Sequence, residues 1–144
     1  IAVERGTRST EPMRRAAAAL RAGEVVIVLP QGTIPRGAAF FDPVLHGHTG
    51  AARLAAETGC PVVPVGLWGT ERVWPRSSKV PNITALPHPP RVTVTVGAPV
   101  SLGLDNAVAD TVTLMAAISD LLPAEARVPH IPTEEDLART RPSA

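Results

Sequence analysis

The sequence has little of what supports a disulfide, a membrane span or a nucleic-acid interface. Cys60 is its only cysteine, so no disulfide can form within the chain. Apolar runs stay far below the ~18–20 residues that cross a bilayer. Aromatic residues make up only 3% of the chain and the net charge is +1, which gives no case for bulk nucleic-acid binding. These absences favour a cytoplasmic protein that has no disulfide framework.

The chain is instead rich in apolar residues and in arginine. With 144 residues, 44% of them apolar and 19% charged, it suits a single domain over 1–144 with a frayed tail at 139–144. Only one of the 14 basic residues, Lys79, is a lysine. The guanidinium of arginine binds phosphate and carboxylate through two N–H groups at once, which the ammonium of lysine does not do. The excess of arginine over lysine therefore permits anion recognition. The chain opens on Ile1 inside what looks like a strand, and we expect it to be the downstream piece of a longer protein.

The stretch 25–33, VVIVLPQGT, organises the rest of the chain. Its first five residues are apolar, and this composition predicts a strand buried on both faces, as in a parallel sheet. Pro30 ends the run. Gln31, Gly32 and Thr33 then lie beyond the carboxyl end of the strand, where open α/β sheets bind ligands. This pattern predicts a small cradle for an anion or phosphate, with an ordinary turn as the alternative.

The order of elements predicts an α/β fold with a mainly parallel sheet, flanking helices and a missing N-terminal part. Strand 1–3, a helix over 11–22 and strand 25–29 form a crossover unit, so Arg5 and Gly6 should face the same crevice as the Gln31 turn. The remaining expected elements are a helix over 49–58, strand 61–67, edge strand 91–96, a helix capped by Asp105 that runs to Leu122, and a terminal helix from Thr133. We expect Val108, Val112, Met115, Ile118 and Leu122 to form the core stripe of the long helix.

Four motifs in this order resemble the phospholipid/glycerol acyltransferase family, which includes 1-acylglycerol-3-phosphate acyltransferases. The arginine block is Val3-Glu4-Arg5-Gly6, and the Pro-Glu-Gly-Thr block is Pro30-Gln31-Gly32-Thr33. Gly47-His48-Thr49-Gly50-Ala51 stands where the family has a lysine-and-glycine turn, and Pro61-Val62-Val63-Pro64-Val65 matches its Val-Pro-Val strand. The spacing of the blocks makes the resemblance specific.

Two departures from the family pattern bear on function. Gln31 replaces a glutamate, which removes a carboxylate from the phosphate cradle and adds two N–H donors. The catalytic His-x4-Asp block is absent, because no aspartate lies five positions after His46, His48, His88 or His130. We therefore assign no catalytic residue to this chain and expect it, alone, not to catalyse acyl transfer.

The resemblance implies an enzyme like a 1-acylglycerol-3-phosphate O-acyltransferase. An acyl group would pass from acyl-CoA or acyl carrier protein to a lysophospholipid or glycerol phosphate hydroxyl, with no cofactor or metal, at a peripheral membrane surface. This chain would supply the phosphate-binding half. Trp68 and Trp74 would lie at the membrane or pack under a long loop. The alternative is a non-catalytic module that binds phosphate or phospholipid head groups. The acceptor site would comprise Arg5, Gly6, Gln31, Gly32, Thr33 and Arg36. For Arg36, a solvated side chain that binds no anion is an equal alternative.

Overall fold

The computed structural model describes residues 10–75, 77–81 and 89–141. Within them the chain forms helices joined by extended connections and one small sheet. The helices are α1 (Glu11–Arg21), α2 (Gly50–Thr58), α3 (Thr70–Val73), α4 (Ala107–Asp120) and α5 (Glu134–Arg139), with 3₁₀ turns at Gly37–Phe41 and Ala124–Arg127. The strands are β1 (Val65–Trp68) and β2 (Thr93–Val96).

Helices α1 and α2 pack against each other through small residues. Ala16 and Ala17 of α1 form a buried cluster with Leu54 of α2, and Val26 lies against its edge. Both helices were predicted because their alanines and leucines recur at helical spacing, and both predictions are confirmed. Alanines bring the two backbones close together but bury little apolar area, so this core is small. Gly59 ends α2 in the left-handed conformation that glycine adopts without strain.

The sheet has two antiparallel strands. Val65 pairs with Val96 and Trp68 with Thr93, and an isolated bridge joins Val62 to Val100. The alternation of valine and threonine correctly predicts β2 as a partly exposed strand. The end of helix α4 lies close to the sheet. A Cβ added to Gly66 of β1 would be 2.9 Å from the Cβ of Leu121, the residue that follows α4.

The predicted fold, a mainly parallel α/β sheet, is wrong for the described residues. Residues 25–29 belong to no strand, and the side chains of Val25, Ile27 and Leu29 are 90%, 88% and 76% exposed. A strand forms only when a neighbouring backbone completes its hydrogen bonds, and among the described residues this apolar run has no such neighbour. The strand predicted at 1–3 lies outside the described residues. The sheet that does form pairs β1 with β2 in antiparallel orientation.

The predicted core stripe of helix α4 is right for Met115, which is buried, and wrong for Val108 and Val112, which are each 66% exposed. Ile118 and Leu122 are half-buried. Asp110, which the prediction left out, is buried. The carboxylate of Asp110 accepts backbone N–H groups from Gly103 and Leu104, at 2.8 and 2.9 Å. These bonds fold the preceding loop onto the helix and explain how a charged residue is buried there. The other buried residues of α4 are Thr111, Leu114 and Met115, and its N-cap is Asn106 rather than the predicted Asp105.

The C-terminal helix α5 packs against the 3₁₀ turn Gly37–Phe41. Thr133 caps α5 in a reciprocal capping box with Asp136, so the predicted start of this helix is confirmed. The hydroxyl of Thr140 accepts the backbone N–H of Gly37 at 2.9 Å. The C-terminal part of the chain thereby reaches the loop that follows the predicted phosphate-binding turn.

Candidate functional site

The described part of the predicted site is the turn Gln31, Gly32 and Thr33, with Arg36 shortly after it. Arg5 and Gly6 lie outside the described residues, so their predicted place beside this turn stays a prediction. The turn follows the extended segment 24–29, and its Gly32 and Thr33 are exposed while Gln31 is half-buried. The polar groups of this turn therefore face solvent and are accessible to a ligand.

Two backbone hydrogen bonds fix the turn. The N–H of Gly32 donates to the carbonyl of Leu29 at 3.0 Å, which closes the turn on itself. The N–H of His48 donates to the carbonyl of Pro30 at 2.8 Å, which ties the turn to the N-terminus of α2. Because the Gly32 N–H already donates to the carbonyl of Leu29, it is not free to bind an anion. Thr33 is the residue of the turn that still offers both a backbone N–H and a hydroxyl.

The ring of His48 lies against Gly32. Gly32 has φ of +64°, and a Cβ added there would lie 3.0 Å from Cδ2 of His48. Glycine is favoured at this position for two reasons: its backbone is left-handed, and a side chain would be in tight contact with the imidazole, which would have to shift. Two blocks of the predicted motif pattern, 30–33 and 47–51, are thus in direct contact.

The N-terminus of α2 adds to the positive character of this site. Thr49 is the N-cap residue, but its side chain makes no capping hydrogen bond. The first N–H groups of the helix therefore lack a side-chain acceptor, and they carry the positive end of the helix dipole. Beside the turn, this end of α2 is suited to a negatively charged ligand.

Arg36 places a full positive charge shortly after the turn. It is exposed and precedes the 3₁₀ turn Gly37–Phe41. Among the described residues it has no carboxylate partner, in contrast to Arg21, which pairs with Glu57 at 3.0 Å. A guanidinium without a protein carboxylate beside it is available for an external anion.

Two histidines have carboxylate neighbours, but neither pair lies at the turn. Nε2 of His46 is 3.5 Å from Asp42, and Nε2 of His130 is 3.3 Å from Asp136. The hydroxyl of Thr133, its backbone N–H and then His130 hold the pKa of Asp136 below its ordinary value. Asp136 caps α5, so this pair has a structural role. His88 lies outside the described residues.

His48 is the residue at this site that sequence reasoning missed as a participant. In the sequence, His48 stands in the block 47–51 and has no aspartate five positions after it, so it was assigned no role of its own. In the described part of the chain no group of three or more His, Cys, Asp or Glu is arranged to hold a metal ion. The signal that could have found it was its place in the third block, immediately before the N-cap of α2.

The two tryptophans, Trp68 at the end of β1 and Trp74 after α3, are each held by a hydrogen bond. Nε1 of Trp68 donates to Glu125 at 3.0 Å, and Nε1 of Trp74 donates to the carbonyl of Ser78 at 3.1 Å. Trp74 is 57% exposed and Trp68 is half-buried. Their predicted contact with a membrane stays a prediction. Within the described ranges no helix combines the length and apolar character that crossing a bilayer requires.

A groove of about 440 Å³ runs between residues 43–49 and helix α4. Its walls include Val44 and Leu45 on one side and Val108 and Val112 on the other, with Met115 at the base. Most of its lining is apolar, and the segment that forms one wall continues directly into His48. The candidate site therefore has a polar turn and an adjoining apolar groove.

Comparison with known proteins agrees with the motif pattern. A family model described as Acyltransferase matches residues 1–68, which end at the last residue of β1. No curated protein matches the chain, and no solved structure does. The matched range contains the turn, the N-terminus of α2 and the strand β1. The predicted resemblance to the acyltransferase family is thus confirmed over residues 1–68, and it supports a general acyltransferase role for this chain.

Proposed function

We propose that this chain is the acceptor-binding part of an acyltransferase that acts on a phosphate-bearing alcohol. An acyl group passes from an acyl-CoA or acyl-carrier-protein thioester to the free hydroxyl of a lysophospholipid or glycerol phosphate, at a peripheral membrane surface. The acceptor phosphate binds at the turn formed by Gln31, Gly32 and Thr33. Arg36 and the N-terminus of α2 supply positive potential from within the described residues.

The observation that carries this proposal is the contact between the Pro30 turn and His48. The hydrogen bond from His48 to the Pro30 carbonyl, at 2.8 Å, joins two blocks that are separated along the sequence. A purely structural turn would not need an exposed polar face beside a helix N-terminus and an arginine without a carboxylate partner. The general acyltransferase role of the matched residues makes a substrate phosphate the natural anion for this face.

Each side chain at the turn contributes differently to phosphate binding. Thr33 offers its N–H and hydroxyl to phosphate oxygens. Among the described residues its hydroxyl makes only a long contact of 3.5 Å, to the carbonyl of Ile34. Gln31 has both donors and an acceptor, so it tolerates a phosphate where a carboxylate would repel it. Arg36 supplies charge and is able to bind two phosphate oxygens at once.

No described histidine–carboxylate pair lies at the turn to act as a general base. Acyl transfer to a hydroxyl needs a base within hydrogen-bond reach and a group that orients it. On this point the chain equally suits a non-catalytic module that binds phosphate or phospholipid head groups. We therefore expect the 144-residue chain to bind the acceptor and to transfer no acyl group faster than background.

The test measures binding and turnover on the same protein. Titration calorimetry with glycerol 3-phosphate compares the unaltered chain with Arg36→Ala, and Arg91→Ala is the matched control because it removes an exposed arginine that precedes β2. Loss of one charge-assisted contact, ~1.5–3 kcal/mol, predicts roughly 10- to 150-fold weaker binding for Arg36→Ala alone. Equal affinity in all three proteins would refute the phosphate site.

A radiolabelled acyl-transfer assay then separates enzyme from module. It uses acyl-CoA with lysophosphatidic acid, on this chain and on the complete open reading frame. We expect turnover only from the complete protein. Clear turnover by the 144-residue chain, abolished by replacing one of its own histidines, would show that the base lies within these residues.

A further inference from the structure

Arg36 stands at the start of a turn that buries little of its own surface. It is the N-cap residue of the 3₁₀ turn Gly37–Phe41, and its backbone is extended, with φ of −128°. Gly37 and Phe41 are half-buried, whereas the three residues between them are exposed. Few apolar contacts therefore restrain this turn, and the position of the Arg36 guanidinium depends on the contacts made at the two ends of the turn.

The first end of the turn is held by Thr140, the C-cap residue of α5. The backbone N–H of Gly37 donates to Oγ1 of Thr140 at 2.9 Å, across 103 positions of the sequence. Thr140 is only 2% exposed, so little water reaches this bond. The same hydroxyl donates its hydrogen to the carbonyl of Leu137 at 2.8 Å. Because its one hydrogen is used there, Oγ1 is left to act as the acceptor for Gly37.

The second end of the turn is held by His130, which precedes α5. The rings of Phe41 and His130 lie with their centroids 5.1 Å apart at an angle of 43°. Nε2 of His130 is 3.3 Å from the carboxylate of Asp136, which takes part in the capping box of α5. Both ends of the turn are thus attached to the same C-terminal segment, 130–140.

We propose that Thr140 is a positioning residue for phosphate binding, which acts through Gly37 on Arg36; this inference rests on the proposed function. Gly37 is bonded directly to Arg36, so a fixed Gly37 N–H fixes the backbone from which the guanidinium extends. A side chain held in one place binds a phosphate more tightly than one that samples many, because less conformational entropy is lost on binding. Helix α5 lies beyond residues 1–68, which match the acyltransferase family. The C-terminal part of the chain thereby contributes to the site without touching the phosphate.

The experiment measures glycerol 3-phosphate affinity by titration calorimetry on the complete 144-residue chain. Thr140→Val keeps the shape of the side chain and removes the acceptor, whereas Thr140→Ser keeps the hydroxyl. Thr58→Val is the matched control, because the Thr58 hydroxyl also donates to a carbonyl, that of Leu54 at 2.8 Å, and accepts a backbone N–H, that of Cys60 at 3.4 Å. Thr58 is the last residue of α2, whereas the turn is tied to the first end of that helix.

We expect Thr140→Val to weaken glycerol 3-phosphate binding by about 2- to 10-fold, the range that corresponds to the loss of one neutral hydrogen bond. Thr140→Ser should bind like the unaltered chain. Thr58→Val should lower the melting temperature and leave the affinity unchanged. In the Arg36→Ala background, Thr140→Val should weaken binding no further, because the side chain that Thr140 positions is gone. A role of Thr140 in stability alone would give the same loss of affinity in both backgrounds.

His130→Ala tests the other end of the turn and does not depend on whether Thr140→Val folds. The side chain of His130 is 54% exposed, so its removal opens no buried site. Loss of its ring contact with Phe41 frees that end of the turn. We expect His130→Ala to weaken glycerol 3-phosphate binding by about twofold or more, again only while Arg36 is present.

Unchanged affinity in Thr140→Val would overturn the inference, and so would unchanged affinity in His130→Ala if Thr140→Val does not fold. An equal loss in Thr58→Val, an equal loss in Thr140→Ser, or an equal loss with and without Arg36 would overturn it as well. Any of these results with an intact Arg36→Ala effect would leave the phosphate site standing. Unchanged affinity in Arg36→Ala itself would overturn the proposed function and this inference together.

Discussion

Replacement of Gly32 by alanine tests whether His48 holds the candidate phosphate-binding turn. Gly32 has φ of +64°, and a Cβ there would lie 3.0 Å from Cδ2 of His48. Alanine therefore meets two separate obstacles, a left-handed backbone and a neighbouring ring. Gly23 offers a matched control, because its φ is +82° and nothing lies within 4 Å of an added Cβ.

The two obstacles have different magnitudes. A Cβ in the left-handed region costs about 1–2 kcal/mol. The reduced entropy of the unfolded chain offsets about 0.4–1 kcal/mol of this cost. Both terms apply equally to Gly23→Ala, so we expect each variant to lose about 1 kcal/mol from the backbone alone. Moving the His48 ring off its preferred rotamer adds roughly 0.5–1.5 kcal/mol for Gly32→Ala only.

Urea unfolding followed by circular dichroism measures these differences. A change in the transition midpoint without a change in slope reports the loss in free energy of unfolding. For a chain of this length each kcal/mol corresponds to about 2–4 °C in the melting temperature. The excess loss of Gly32→Ala over Gly23→Ala should disappear when His48 is also replaced by alanine, which makes a double-mutant cycle.

The reasoning fails if Gly32→Ala and Gly23→Ala lose the same free energy and the cycle gives no coupling. That result would mean that the imidazole of His48 does not restrain the turn in solution. A coupling near the expected 0.5–1.5 kcal/mol, together with weaker glycerol 3-phosphate binding in Gly32→Ala, would link the stability of the turn to its proposed use.

Two further variants test neighbouring features. Asp110→Ala leaves the N–H groups of Gly103 and Leu104 without their acceptor, so urea unfolding should show a loss of at least ~2 kcal/mol in the free energy of unfolding. Replacing the exposed Asp105 by alanine is the control and should change that free energy by no more than ~0.5 kcal/mol. Equal losses in the two variants would contradict the role of Asp110. Gln31→Glu should weaken glycerol 3-phosphate binding, and this loss of affinity should shrink as added salt screens the repulsion between the carboxylate and the phosphate. The double variant Gln31→Glu with His48→Lys should recover the affinity. Tighter binding by Gln31→Glu alone would mean that the positive potential at the turn is larger than assumed.

Local signals predicted helices α1, α2, α4 and α5, although α3 was not predicted and the N-cap of α4 is Asn106 rather than Asp105. Alanine-rich spacing in α1 and α2, Gly59 after α2 and the Thr133 capping box each depend on residues within a few positions of one another. The failure at residues 25–29 has the opposite cause. An apolar, β-branched run shows only that a segment is suited to a β-sheet. Whether it forms a strand depends on a partner strand elsewhere in the chain, which the run itself does not determine. The exposed side chains of Val25 and Ile27 are the result within the described residues.

Helix α4 shows a second reason why sequence patterns mislead. Val108, Val112 and Met115 lie on one predicted stripe, and a stripe of this kind is usually buried. Met115 is buried together with Asp110 and Thr111, and the carboxylate of Asp110 accepts N–H groups of the preceding loop. Val108 and Val112 are exposed and line a groove. The deviation from the expected pattern thus coincides with a candidate binding surface.

The hydrogen bond between the Pro30 turn and His48 bears on one departure from the family pattern, the replacement of a glutamate by Gln31. The resemblance places a glutamate at position 31 and a lysine in the turn that opens α2, and this chain has Gln31 and His48 instead. The hydrogen bond from His48 to Pro30 brings these two positions to the same turn. A carboxylate and an ammonium at one turn would largely cancel, whereas the amide of Gln31 carries no negative charge that would repel a phosphate. Arg36 is then the main described source of full positive charge near the turn.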